Sequence, residues 1–91
     1  IIKTLGHEGL ELIEPSGKVR KIPAFKVNPI SSHGAGDMFI GALAARYLIG
    51  DTMENALLYA QAAAALFISK AEEERAGITQ RAVIDFMENN L

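Results

Sequence analysis

The hydrophobic period changes once along the chain, near residue 33, and that change limits the folds open to it. Before it, apolar residues come in short runs or in alternation. Residues 1–5 form a run with β-branched side chains, closed by Gly6-His7-Glu8-Gly9. Leu10-Glu11-Leu12-Ile13-Glu14 alternates apolar and polar, which predicts a strand with one face buried and one wet. Pro15-Ser16-Gly17 then turns into Lys18-Val19-Arg20-Lys21-Ile22, alternating again, so the two runs read as an antiparallel hairpin. Pro23 and Pro29 bracket a last extended stretch, residues 24–28.

After residue 33 the spacing is helical. Met38, Leu43, Ala44, Tyr47 and Leu48 recur every three to five positions and are expected on an inner face, and Gly50 stands where the helix would stop. Asp51-Thr52-Met53-Glu54 has the Asp-x-x-Glu spacing of a capping box, so a second helix is expected to start near Met53. Ala56, Leu57, Ala60, Ala63, Ala64, Phe67 and Ile68 fit its 3.6-residue repeat, and the alanine block at residues 62–65 lets another backbone approach closely. Glu72-Glu73-Glu74-Arg75 is the charge run of the chain and reads as a solvated loop. Thr79 is expected to cap a third helix with Val83, Ile84 and Met87 inward. Strands followed by about three helices, with no repeat or low-complexity tract, predict an α/β layer arrangement or the end of one.

Composition removes several function classes. With 91 residues, 49% hydrophobic and 22% charged, the chain is expected to be globular and at most one domain. The longest apolar run, residues 62–68, falls far short of the ~20 residues of a membrane helix, and no signal peptide is expected. A net charge of −2 and a pI near 5.6 argue against a surface built to bind nucleic-acid phosphates. The absence of cysteine excludes disulfides and thiolate chemistry and is compatible with a cytoplasmic enzyme. Beginning at Ile1-Ile2, the chain reads as readily as a piece of a larger protein as a complete one.

The chemistry concentrates in Ser31-Ser32-His33-Gly34-Ala35-Gly36-Asp37-Met38-Phe39, a glycine-rich turn running straight into a helix. Gly34 and Gly36 permit positive φ and keep side chains away from a ligand. The first amides of a helix lack internal partners and carry the positive end of its dipole, a ready phosphate site. Asp37 in that first turn has two readings. It can simply support the helix through the dipole, or it can take a proton from an attacking hydroxyl while the amides hold phosphoryl oxygens. Two common nucleotide motifs are absent. Gly17-Lys18 is followed by Val19 within a hairpin, and Phe39 occupies the third glycine position of Gly-x-Gly-x-x-Gly.

Gly34-Ala35-Gly36-Asp37-Met38-Phe39-Ile40-Gly41-Ala42-Leu43 resembles the C-terminal signature of the ribokinase-like (PfkB) carbohydrate kinases. Upstream, Thr4-Leu5-Gly6-His7-Glu8-Gly9 is similar to the family's Thr-x-Gly-x-x-Gly turn. Downstream, Tyr59-Ala60-Gln61-Ala62-Ala63-Ala64-Ala65 is similar to its alanine-rich helix, and residues 79–86 to its final helix. The resemblance implies the C-terminal part of a ribokinase-like three-layer αβα sandwich: residues 1–91 as the nucleotide-binding and catalytic-base part, without the N-terminal sugar-binding part and lid. It implies Asp37 as catalytic base and Gly34, Ala35 and Gly36 as anion hole. Thr4 and Gly6 would lie by the nucleotide and Gln61 beside the adenine, although Gln61 alone would read as a solvent-facing helix residue. ATP with Mg²⁺ and a sugar or sugar-like acceptor are implied as well. No nucleic acid or membrane partner is implied, a homo-oligomer is compatible, and the piece alone is expected to be inactive.

Departures from the family pattern qualify the cation sites. Ser31-Ser32-His33 stands where members carry Asp-Thr-Thr/Asn, and residues 70–75 replace a glycine-containing loop. Potassium activation is therefore expected to be weak. His33 either pairs with a phosphate when protonated or serves only as a turn residue; His7 is assigned no role. The family's magnesium-associated Asn-x-x-Glu lies upstream, Met53-Glu54-Asn55 lacks that spacing, and no metal ligand is expected here. Two readings from other classes stay open: a segment of a dinucleotide-binding oxidoreductase, and a non-catalytic oligomerising module.

Overall fold

A computed structural model describes residues 1–4, 9–25, 27, 30 and 34–90. Three strands, β1 (Ile2–Thr4), β2 (Leu10–Ile13) and β3 (Val19–Ile22), form an antiparallel sheet in the order β1-β2-β3. Leu10 pairs with Thr4 on one side and Ile22 on the other, and Leu12 with Ile2 and Arg20. The predicted hairpin is present. Its turn closes with Gly17 N–H donating to the Glu14 carbonyl at 2.8 Å, and Glu14 N–H donating to that of Lys18 at 2.9 Å. Alternation does the expected work: Leu10 and Ile22 are buried together, while Glu11 and Lys21 pair across the opposite face.

Gly9 explains why β2 starts where it does. Its φ is +103°, and a Cβ there would collide with the Ile22 carbonyl oxygen and come within 2.8 Å of the Ala24 nitrogen. Only glycine lets the end of β3 pass so close, and the backbone conformation would itself strain any L side chain.

Four helices follow: α1 (Ala35–Leu48), α2 (Met53–Ile68), α3 (Glu72–Arg75) and α4 (Gln80–Asn89). Residues 72–75 are thus one helical turn rather than the expected loop, with Glu73 and Glu74 still in solvent. The start of α2 is as expected, but its cap is not Asp51. Thr52 caps it, its hydroxyl accepting from Asn55 N–H at 3.1 Å. Asp51 instead accepts from Arg46, Nη2 at 3.1 Å and Nε at 3.2 Å, tying the end of α1 to the linker. Glu54 pairs with Arg20 of β3 at 2.5 Å rather than folding back onto the cap. Thr79 caps α4 as expected, accepting from Ala82 N–H at 3.1 Å.

The core is built around α2. One cluster joins Tyr59, Ala62, Ala63 and Leu66 to Val83 of α4; the other joins Leu57 to Leu10 and Ile22 of the sheet. Tyr59, Ala62, Ala65 and Leu66 are buried although the helical repeat did not select them, because α2 is covered on several sides at once. The reverse correction applies to α1. Met38, Phe39, Ala42 and Leu43 meet the core, whereas Ala44, Tyr47 and Leu48 face solvent. At about 100° per residue Tyr47 lies roughly opposite Met38, so the two cannot share an inner face.

Candidate active site

The turn into α1 is built as an exposed helix start. Gly34 is the N-cap in the left-handed conformation, φ +83°, ψ 0°, and no side chain caps the helix. The first intrahelical bond runs from Met38 N–H to the Gly34 carbonyl at 3.0 Å. The amides of Ala35, Gly36 and Asp37 therefore have no partner within the helix and point out of its positive end. Asp37 is exposed in that first turn. Gly36 and Asp37 are both exposed, which puts a carboxylate beside the first amides of the helix, suited to hold an oxyanion and accept a nearby proton.

The two glycines serve different ends, and only one matches the expectation of positive φ. At Gly34 the conformation demands glycine, since a Cβ would have only ordinary contact, 3.6 Å, with the Phe67 ring. Gly36 has no positive φ, and a Cβ there would meet nothing within 4 Å. Strain is thus no reason for Gly36. What glycine leaves there is open space above the amides.

The remaining expected site residues are more scattered. Gln61 is half-buried on α2, six residues before Phe67 and so about 9 Å from it along the axis. Thr4 ends β1, with its side chain outside the described set; Gly6, His7, Ser31, Ser32 and His33 lie outside the described residues. Among the described residues, no three His, Cys, Asp or Glu side chains come together to hold a metal ion. None of them is assigned to Mg²⁺.

Sequence reasoning missed what lies under the turn. The edge of the Phe67 ring, at the end of α2, lies 3.6 Å from where a Cβ on Gly34 would stand. The Arg75 guanidinium stacks over the Phe67 ring at 4.2 Å, and Arg75 Nε donates to the Phe67 carbonyl at 3.0 Å. The only sequence signal was one arginine closing a run of glutamates just past a helix end. The backbone before the turn is fixed to the same place, Ile30 N–H donating to the Ile68 carbonyl at 2.7 Å.

A helix N-terminus without a side-chain cap, with a carboxylate in its first turn, is suited to bind an anion. Comparison with known proteins makes the class specific. Residues 1–76 match the family model of the pfkB family carbohydrate kinases, and the chain belongs to that family. It is 30% identical over 89 residues to a ribokinase of Haemophilus influenzae, spanning 98% of this chain and 29% of that protein. It is 36% identical over 66 residues to a 2-dehydro-3-deoxygalactonokinase of Haloferax volcanii, spanning 72% of this chain and 20% of that one. A ribokinase of Cryptococcus neoformans var. grubii serotype A, solved in complex with ADP, superposes with a TM-score of 0.78 at 30% identity. That alignment covers 93% of this chain and 28% of the other. The fold is accordingly ribokinase-like α/β, and the chain spans less than a third of the length of these relatives. No helix among the described residues is long and apolar enough to cross a membrane.

Proposed function

We propose that this chain carries the nucleotide-binding and catalytic-base part of a cytoplasmic kinase transferring the γ-phosphoryl of ATP to a hydroxyl of a sugar or related small molecule. The observation that carries the reading is the exposed Asp37 in the first turn of a helix capped by left-handed Gly34 alone. Amides of Ala35, Gly36 and Asp37 would hold the phosphoryl oxygens as charge develops on them, the strongest use of a preorganised helix start. Asp37 would accept the proton of the attacking hydroxyl as the oxygen–phosphorus bond forms and ADP departs. Thr4, Gly6 and Gln61 would line the nucleotide.

Relatives of this chain include a ribokinase and a 2-dehydro-3-deoxygalactonokinase, and the ribokinase similar in structure was solved with ADP. These support a sugar-like acceptor and an adenine nucleotide. A sugar-binding part and lid would belong to the length that the relatives have and this chain does not span, so the 91 residues alone should turn over little or nothing. Mg²⁺ would accompany ATP, and no step is assigned to it through the described residues.

The test is Asp37→Asn in the full gene product, with turnover, ATP binding and melting temperature measured on one preparation. Loss of turnover with ATP binding kept supports the base. A kcat within a factor of a few of wild type removes Asp37 from the chemistry.

A further inference from the structure

Arg75 ends α3 and reaches back over the end of α2. Its Nε donates to the carbonyls of Phe67 at 3.0 Å and Lys70 at 3.3 Å. The Phe67 carbonyl belongs to the last turn of α2, where it also accepts from Lys70 N–H at 3.3 Å and where the negative end of the dipole favours a cation. The same guanidinium lies over the Phe67 ring, its carbon 4.2 Å from the ring centre. The distal edge of that ring is in turn the surface facing Gly34, 3.6 Å from where a Cβ would stand. Ile30, just before the turn, hangs from the Ile68 carbonyl. Arg75, Ile30 and the approach of Gly34 thus converge on the end of α2.

From this geometry we infer that Arg75 is a positioning residue for the anion-binding turn, acting through Phe67 on Gly34. It holds the Phe67 carbonyl and the face of the Phe67 ring at once, and so fixes the ring edge that faces the left-handed cap. The direction of the Ala35, Gly36 and Asp37 amides follows from that edge. Arginine suits the task because a planar guanidinium can lie flat on a ring while its Nε donates in its own plane; an ammonium is a point donor without that plane. The inference rests on the kinase reading for its catalytic consequence, but the clamp itself does not.

The test uses Arg75→Lys and Phe67→Leu in the full gene product; both keep bulk, and Arg75→Lys keeps the charge. Two quantities are read: amide hydrogen exchange at residues 38–40, the first hydrogen-bonded amides of the helix, against residues 42–48, and kcat apart from KM for ATP. Each variant is expected to raise exchange at residues 38–40 about tenfold, leaving the second half of α1 unchanged. Turnover should fall by about tenfold with KM little altered, because the displaced amides matter most where charge develops. Unchanged exchange at residues 38–40 in a folded variant, or a uniform rise along all of α1, overturns the inference. If the wild-type product transfers no phosphoryl group, the kinase reading fails by itself, and the exchange comparison still decides the clamp.

Discussion

Helices α1 and α2 lie side by side and could hardly differ more in what surrounds them. Of α2, Ala56, Leu57, Tyr59, Ala60, Ala62, Ala63, Ala65 and Leu66 are buried; of α1, no residue is. Leu57 is fully enclosed, whereas Leu48 is 83% exposed. The buried helix is rich in alanine and carries none of the catalytic groups proposed for the chain. The exposed one carries the glycine cap, the free amides and Asp37. Stability and chemistry are therefore housed in different helices. The helices pack together through Met38, Phe39, Ala42 and Leu43, and nearest the glycine turn the Phe67 ring of α2 faces Gly34 of α1.

Substitutions can break that division or sharpen it. The largest effect should come from the helix that is least buried. General-base assistance is typically worth about 10²–10⁴-fold, or roughly 3–5 kcal/mol of barrier. Asp37→Asn is expected to lower kcat by that order in the full gene product. An exposed first-turn acid contributes only ~0.3–1 kcal/mol to stability through the dipole, so the melting temperature should barely move. Gly36→Val belongs beside it. The protein should fold, because nothing lies within 4 Å of the added Cβ, yet turnover should fall by about 10²–10³-fold, as when an oxyanion donor is lost. Full turnover in a folded Gly36→Val protein would take the turn out of the mechanism.

The opposite signature is expected in α2. Leu57→Ala, opening a cavity between sheet and helix, should cost about 2–5 kcal/mol, read as a loss of denaturation midpoint. Leu48→Ala, at the same residue type on α1, should stay within about 0.5 kcal/mol. Equal losses at the two leucines would show that the exposed face of α1 is covered in solution. Gly34→Ala sits at the junction and should show a little of each. Its left-handed backbone costs an alanine about 1–2 kcal/mol, some of which should appear as displaced amides and slower turnover.

What could be read from residues alone follows the same division. The hairpin, the start of each long helix and the glycine turn were legible because their signals are local: alternation, a capping hydroxyl, Gly-Ala-Gly-Asp in sequence. Thr52 rather than Asp51 caps α2 because Asp51 is drawn to Arg46, which one-dimensional spacing cannot show. Tyr59 and Leu66 were missed for a similar reason: a helix contacted on several sides has no single face to select. Arg75 was read with the solvated charges around it, since its partners on α2 are close only after the chain has turned back. Local chemistry singled out the candidate turn; the contacts around Phe67 needed the fold.

The smallest expected effect concerns pH and again separates the helices. Burial pushes the Tyr59 phenol above its usual 10.0, the Arg46 guanidinium over its ring opposing that only in part. The folded chain then holds this proton more tightly than the unfolded one. Stability accordingly falls as pH rises through and above 10, where the unfolded state has released a proton that the native state keeps. Below that range the phenol is protonated in both states and contributes no slope. Tyr59→Phe removes the titrating group while keeping the ring beneath Arg46. Denaturation midpoints of wild type and Tyr59→Phe, measured from pH 8 to 11, should therefore run parallel at first and diverge near the top, wild type dropping faster. Parallel curves throughout would mean that the hydroxyl reaches water freely, and that α2 is less enclosed at Tyr59 than its packing against α4 requires.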